Sequence, residues 1–180
     1  MSDVPPTATC SDETLAASKL VLNDALGALR ASYRTTAFFV ERDLVWTTQT
    51  WLLREVLRRG LDITVSTEHP IEPGERRAFS ADLALRNSAR AVIAVVEFKY
   101  EPNHARLDVP KSKLPVVDWA AVVRDSERVR RWCAEHRCAH GLAVFVDEGG
   151  YFRHRPPPDG ASWHDWSDAG VSVLITRGDA

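Results

Sequence analysis

The alternation of apolar and polar positions divides the chain into two opening helices followed by strands. Leu15, Leu22, Leu26, Leu29 and Tyr33 recur at helical spacing. Ser11 stands before them as an N-cap, and Asp12 and Glu13 place carboxylates in the first turn, where they complement the helix dipole. A first helix is therefore expected up to about Arg34. A second is expected from about Val40 to Arg59, with Val45, Thr48, Leu52 and Val56 on one stripe, Glu41 at its top, and Gly60 as the left-handed stop. From Leu61 the period changes to two: Leu61, Ile63 and Val65 alternate with Asp62, Thr64 and Ser66, the pattern of a half-buried strand.

Glu68 to Gly74 carries two prolines and reads as a loop. Phe79 to Leu85 reads as a second strand, Asn87 to Arg90 as a turn, and Ala91 to Tyr100 as a third strand, apolar enough to lie at the centre of a sheet. Glu101 to Pro115 is a long polar connection with three prolines, and connections of that length inside a domain are often functional. Asp118 can cap a third helix to about His136, with Val122, Val129 and Cys133 on its buried stripe. Arg124, Arg128, Arg130 and Arg131 mostly fall elsewhere on that helix and read as a solvated face, with a phosphate-contacting surface as the other reading. Gly141 to Asp147 is a fourth strand, Tyr151 to Arg155 a short return strand, and Val171 to Thr176 a last strand closing the sheet. This order predicts a mixed α/β sheet layered with helices.

Length and composition narrow the picture. The 180 residues suit one domain, because a chain of this size buries most of its unfolded surface in a single core. Residues 1–10, with two prolines and small polar side chains, read as a frayed tail before a single domain spanning 11–180. The net charge of -2 excludes the strong positive field of a general nucleic-acid coat, so any nucleic-acid contact has to be local. No basic-then-apolar leader and no run of about 18 apolar residues is present, so neither secretion nor a membrane span is expected. Three cysteines, Cys10, Cys133 and Cys138, are an odd number with one in the tail, so no disulfide framework is expected, and a reducing cytoplasm is the default.

The chemistry concentrates in the third strand. Glu97 and Lys99 lie two residues apart and share one face of an otherwise apolar strand, where burying either charge alone is costly. If the second and third strands pair about a turn centred between Ala89 and Arg90, Asp82 stands opposite Glu97. Two carboxylates held together repel, and a divalent cation relieves them; hard oxygen ligands favour Mg2+ or Mn2+. The backbone carbonyl of Phe98 can add a ligand, and Lys99 can orient the attacking water and stabilise charge on a phosphate.

Ser80-Ala81-Asp82 followed by Glu97-Phe98-Lys99 resembles the Asp and (Asp/Glu)-X-Lys motifs of the PD-(D/E)XK nuclease superfamily, with Ala81 in place of the family proline. The resemblance covers about residues 36–147. It implies a restriction-endonuclease-like core of helix, three-stranded meander, helix and further strand. It also implies a Mg2+- or Mn2+-dependent nuclease acting on DNA, or else RNA, with Asp82 and Glu97 holding the metal and Lys99 assisting the water. A first-helix glutamate joins the metal site in many members; Glu41 is the match here, with Glu55 as the fallback. The contrasting expectation is a catalytically inactive module that keeps the fold and binds nucleic acid or a protein partner. A homodimer gripping both strands of a duplex would suit the small size.

Three further groups are assigned lesser roles. Lys111, Lys113, Arg106 and His104 follow the third strand and are candidate phosphate contacts. Cys133, His136, Cys138 and His140 depart from paired zinc-ligand spacing, and Cys133 fits the buried face of the third helix. Trp163-His164-Asp165-Trp166 reads as packing anchors flanking a loop rather than a base-stacking platform.

Overall fold

In the computed structural model, which describes residues 11–33, 35–72, 80–109, 111, 114–166 and 170–180, three helices cover a six-stranded mixed sheet. The elements run α1 (Asp12–Ser32), α2 (Glu41–Arg59), β1 (Ile63–Pro70), β2 (Ser80–Asn87), β3 (Val92–Glu101), α3 (Trp119–Ala134), β4 (His140–Asp147), β5 (Ala161–Trp166) and β6 (Val171–Asp179). The strand order is β1-β2-β3-β4-β6-β5. Every pair is antiparallel except β3 and β4, which α3 joins as a parallel crossover unit. No described helix is long and apolar enough to cross a membrane.

Local chemistry explains the helix boundaries. Ser11 caps α1 by accepting from Thr14 N at 3.2 Å, and Asp118 caps α3 by accepting from Ala120 N at 3.1 Å, each satisfying a donor that the helix itself cannot. At the start of α2, Asp43 Oδ2 reaches back to the N–H groups of Phe39 (2.8 Å) and Val40 (3.1 Å), and Gly60 ends the helix at φ +62°. The buried stripe of α2 is Leu44, Thr48, Leu52 and Val56; Leu44 takes the position expected of Val45, which is only half-buried.

The period-two pattern separates the two faces. Val96, Phe98 and Tyr100 of β3 pack with Val21, Leu29, Leu44 and Leu52 of α1 and α2 in the larger core. Val95 faces Val129, Trp132 and Cys133 of α3 on the other side. Gly141 of β4 and Gly178 of β6 are register partners directly beneath α3. A Cβ on Gly178 would come within 2.9 Å of Cys133 Sγ, and one on Gly141 would collide with Val129. The glycine pair thus lets α3 lie close on the sheet, and a buried Ser126 Oγ to Thr176 Oγ1 hydrogen bond of 2.8 Å ties it there.

Several boundaries differ from those read along the chain. β1 continues through the expected loop to Pro70, because His69 and Pro70 pair with Ala81 and Ser80 even though Glu68 is left-handed at φ 48°. Glu101 belongs to β3 and is fully buried. Tyr151–Arg155 forms turns, and the strand after β4 is instead Ala161–Trp166, so the Trp163–Trp166 segment is an edge strand. β6 does not close the sheet: it runs to Asp179 and lies between β4 and β5. The expected tail before Ser11, together with Phe79 and Lys113, lies outside the described residues.

Candidate active site

A fork between two strands builds the site. β2 and β3 remain paired as far as Leu83 and Val96, whereas β2 stays paired with β1 out to Ser80 and Pro70. Beyond the fork the Phe98 N–H has left the ladder, and Asp82 Oδ2 accepts it at 2.7 Å. A side chain thus replaces a backbone acceptor, as the complete pairing of buried N–H groups requires. Continued by one residue, the β2–β3 register sets Asp82 across from Glu97.

Lys99 lies two residues further along, on the same face of β3 as Glu97. Its Nζ is 3.1 Å from Glu41 Oε2, 3.1 Å from Asp125 Oδ2 and 2.9 Å from the Phe98 carbonyl. Glu41 arrives because the chain ahead of α2 is pinned to β3: the Phe38 carbonyl accepts from Tyr100 OH at 2.8 Å and from Arg106 Nη1 at 2.6 Å. The first residue of α2 is thereby held at the end of the strand that carries Lys99.

Helix α3 contributes two residues that sequence reasoning did not single out. Asp125 is buried, and its two oxygens separate Lys99 from Arg128, whose Nη2 is 2.8 Å from Asp125 Oδ1 and 2.9 Å from Glu97 Oε1. Arg128 therefore does not belong to the solvated arginine face; Arg124, Arg130 and Arg131 do. The signal was available as spacing: Asp125 lies between Val122 and Val129 on the buried stripe, where a carboxylate calls for an explanation.

The cluster holds four carboxylates, Glu41, Asp82, Glu97 and Asp125, against two cations, Lys99 and Arg128. Glu97 is 3% exposed. Burial, and next the neighbouring Asp82, push its carboxyl up to about 9 against the opposing pull of Arg128. Burial likewise raises Asp82, although the Phe98 N–H resists, and raises Glu41, although Lys99 resists. For Lys99, burial acts to lower the ammonium, but Asp125 and Glu41 outweigh it and hold the group above its usual range. Among the described residues no donor is aligned for a hydrogen bond on Glu97 Oε1, despite the nearby Arg128 charge.

The other expected contacts fall elsewhere. Arg106 has its donors engaged with Asp108, Glu148, Tyr100 and the Phe38 carbonyl, which makes it a clamp for the loop after β3. His104 stacks on Tyr151 and meets Glu101. Lys111 is exposed. Glu55 is bound by Arg58 and Arg59 on its own helix, away from the cluster. Cys133 and Cys138 are both buried, with their sulfurs 3.4 Å apart, while His136 is exposed and His140 turns to Asp179.

As placed, no three His, Cys, Asp or Glu side chains among the described residues stand close enough together to enclose a metal ion. Lys99 and Arg128 sit among the carboxylates instead. The donor set nonetheless suits a hard divalent cation. It is all oxygen, and with every carboxylate ionised it carries two more negative charges than positive; the proton that burial keeps on Glu97 is one that a cation would displace. Comparison of the chain with models of known protein families and with curated protein sequences finds no match.

Proposed function

We propose that this chain is a Mg2+- or Mn2+-dependent phosphodiesterase of nuclease type, acting on DNA or else RNA, on a restriction-endonuclease-like sheet. The supporting observation is the fork between β2 and β3. It brings Asp82 and Glu97 together beside Lys99 in a partly buried cluster whose carboxylates, when all ionised, outnumber its cations by two. Structural ion clusters tend toward internal balance, because an unpaired buried charge is costly. Here part of the excess is met by the proton on Glu97, which a divalent cation would displace and replace with its own two charges.

In this reading Asp82 and Glu97 would hold the cation, with the Phe98 carbonyl and Glu41 as further oxygen donors. When bound, the cation would polarise the phosphate and acidify a water. Lys99, steered by Glu41 and Asp125, would position that water and neutralise charge developing on the phosphate oxygens. Arg128 would keep Glu97 oriented and favour its ionised form, and Asp125 would hold Lys99 and Arg128 apart.

A second reading, a catalytically inactive module on the same fold, draws support from the placement of Lys99 and Arg128 among the carboxylates. One experiment separates the two. Purified protein with Mn2+ is expected to cleave plasmid or oligonucleotide DNA, and Lys99→Ala is expected to lower the rate by ~10²–10⁴-fold. Equal rates in the two proteins would remove the nuclease assignment. Calorimetric titration with Mn2+ that shows no binding to either wild type or Asp82→Asn would favour the inactive module.

A further inference from the structure

We propose that the site accepts single-stranded nucleic acid, with the nucleosides on the two sides of the reacting phosphate drawn apart into separate cavities. This inference rests on the nuclease reading above and assigns its substrate class.

Glu41 is part of the wall of two cavities. One, of about 510 Å³, lies between α2 and the β1–β2 pair and includes Asp82 in its lining. The other, of about 620 Å³, lies between the start of α2 and the loop leading to α3 and includes Lys99. Both volumes fall in the ~300–1,000 Å³ range of small-ligand sites. Asp82 lines only the first cavity and Lys99 only the second, so the charged cluster forms the partition. A phosphate held at that partition would direct one nucleoside to each side.

The walls suit nucleosides in different ways. In the first cavity Trp46 is 70% exposed on α2. Arg42 stands one turn before it and Gln49 one turn after, so the three share a helix face. A tryptophan ring so placed offers a stacking surface for a base, and the Gln49 amide and Thr67 hydroxyl, both in the lining, can donate to and accept from a base edge. The second cavity is mainly apolar, walled by Phe39, Val40, Val109 and Val116, with Asp108 and Asp118 also in its lining. Phe39 is held by the Arg106 guanidinium 4.9 Å above its ring. It can take a base face without reading its edge.

Adjacent bases in a duplex share one stack and are paired to the opposite strand, so they cannot enter cavities on opposite sides of Glu41. An unpaired strand can, because its bases splay onto protein surfaces at little cost. Sequence preference is then expected on the Gln49 side of the cut and tolerance on the Val116 side.

The experiment compares a labelled single-stranded oligodeoxynucleotide with the same sequence as duplex, measuring Mn2+-dependent cleavage and, with Ca2+ in place of Mn2+, binding by fluorescence anisotropy. The single strand is expected to bind about tenfold or more tightly and to be cut faster. Trp46→Ala should weaken its binding about tenfold, as loss of one stacking contact does. Trp46→Phe should recover most of the loss, and Val116→Glu should weaken binding from the other cavity. Cleavage in which duplex and single strand react equally and Trp46→Ala changes neither would overturn the two-cavity inference while leaving the nuclease reading in place. Absence of both binding and cleavage, for either substrate, would overturn both.

Discussion

Two charged clusters share the α3-facing side of β3, four residues apart, and they are neutralised by different means. At the lower cluster Glu101 is 0% exposed, yet its oxygens accept from the backbone N–H groups of Val116 (3.2 Å) and Val117 (2.7 Å) and meet His104 at 2.5 Å. Of its neighbours, Asp147 accepts from Phe152 N in the same way, while Glu148 combines the two means, accepting from Asn103 N and from Arg106 Nη1. At the upper cluster, among the described residues, only Asp82 takes a backbone N–H, and the remaining carboxylates face the side-chain cations Lys99 and Arg128. Backbone donors are fixed by the fold, so the lower cluster ties loops to strand ends. Side-chain cations swing on flexible stems and can be exchanged for a metal or a phosphate. The same residue type on one strand thus serves the fold at position 101 and is available for chemistry at position 97.

The largest expected test of this contrast is Glu101→Ala. It leaves the buried Val117 N–H and the part-buried Val116 N–H without their acceptor, and at ~1–3 kcal/mol for each stranded donor the loss should be ~2–6 kcal/mol. Denaturant unfolding measures it, and the protein that remains folded should keep its Mn2+-dependent cleavage. A loss of cleavage without a loss of stability would place Glu101 in the chemistry and erase the distinction.

A somewhat smaller effect is expected from pH in metal-free protein. Glu97 titrates at about 9 in the folded chain, against roughly 4.3 for an unperturbed glutamate. Across that window the folded state holds a proton that the unfolded state has released, so the contribution is complete below the lower value and is lost as pH rises through the upper one. Asp82 and Glu41, both raised by burial, act with the same sign. Unfolding free energy should therefore fall between pH 5 and pH 9 by on the order of 2 kcal/mol, and Glu97→Gln should flatten the slope. A wild-type slope that is flat or rising would show that the carboxylates are already neutralised.

How much of this was legible depends on whether a feature is local. The caps at Ser11 and Asp118 and the stop at Gly60 rest on residues within a turn of one another, and the structure has them where the chain pattern put them. The β2–β3 register agrees with the expected centre at Leu83–Val96, but the turn alone does not set it: beside the turn Arg86 faces Val92, and a bulge between Leu85 and Arg86, which no pattern announced, shifts the pairing by one residue. The fork itself was not legible, because a ladder ends where a side chain outcompetes a carbonyl, and no periodicity records that. Nor was the place of Arg128: the other arginines of α3 are exposed, and only the close seating of α3 on Gly141 and Gly178 turns it toward Glu97. The edge position of β5 likewise depends on pairing across the chain, and its exposed, polar-rich sequence disguised a strand.

The smallest expected effect concerns two glutamates on one helix. Glu55 is held down at about 2, first by the hydrogen bond from Arg58 and then by that from Arg59, so it resembles Glu101 in having its own permanent partners. Glu41 shares Lys99 with Asp125 and is raised by burial, so its charge is the less completely met. If incomplete neutralisation is what makes a carboxylate available to a cation, Glu41→Gln should weaken Mn2+ binding about tenfold, the low end of the loss seen when a metal site's supporting group is removed. Glu55→Gln should leave it unchanged. Calorimetry on the pair decides the matter: equal weakening would mean that overall negative charge, rather than the local deficit of partners at the β2–β3 fork, draws the metal.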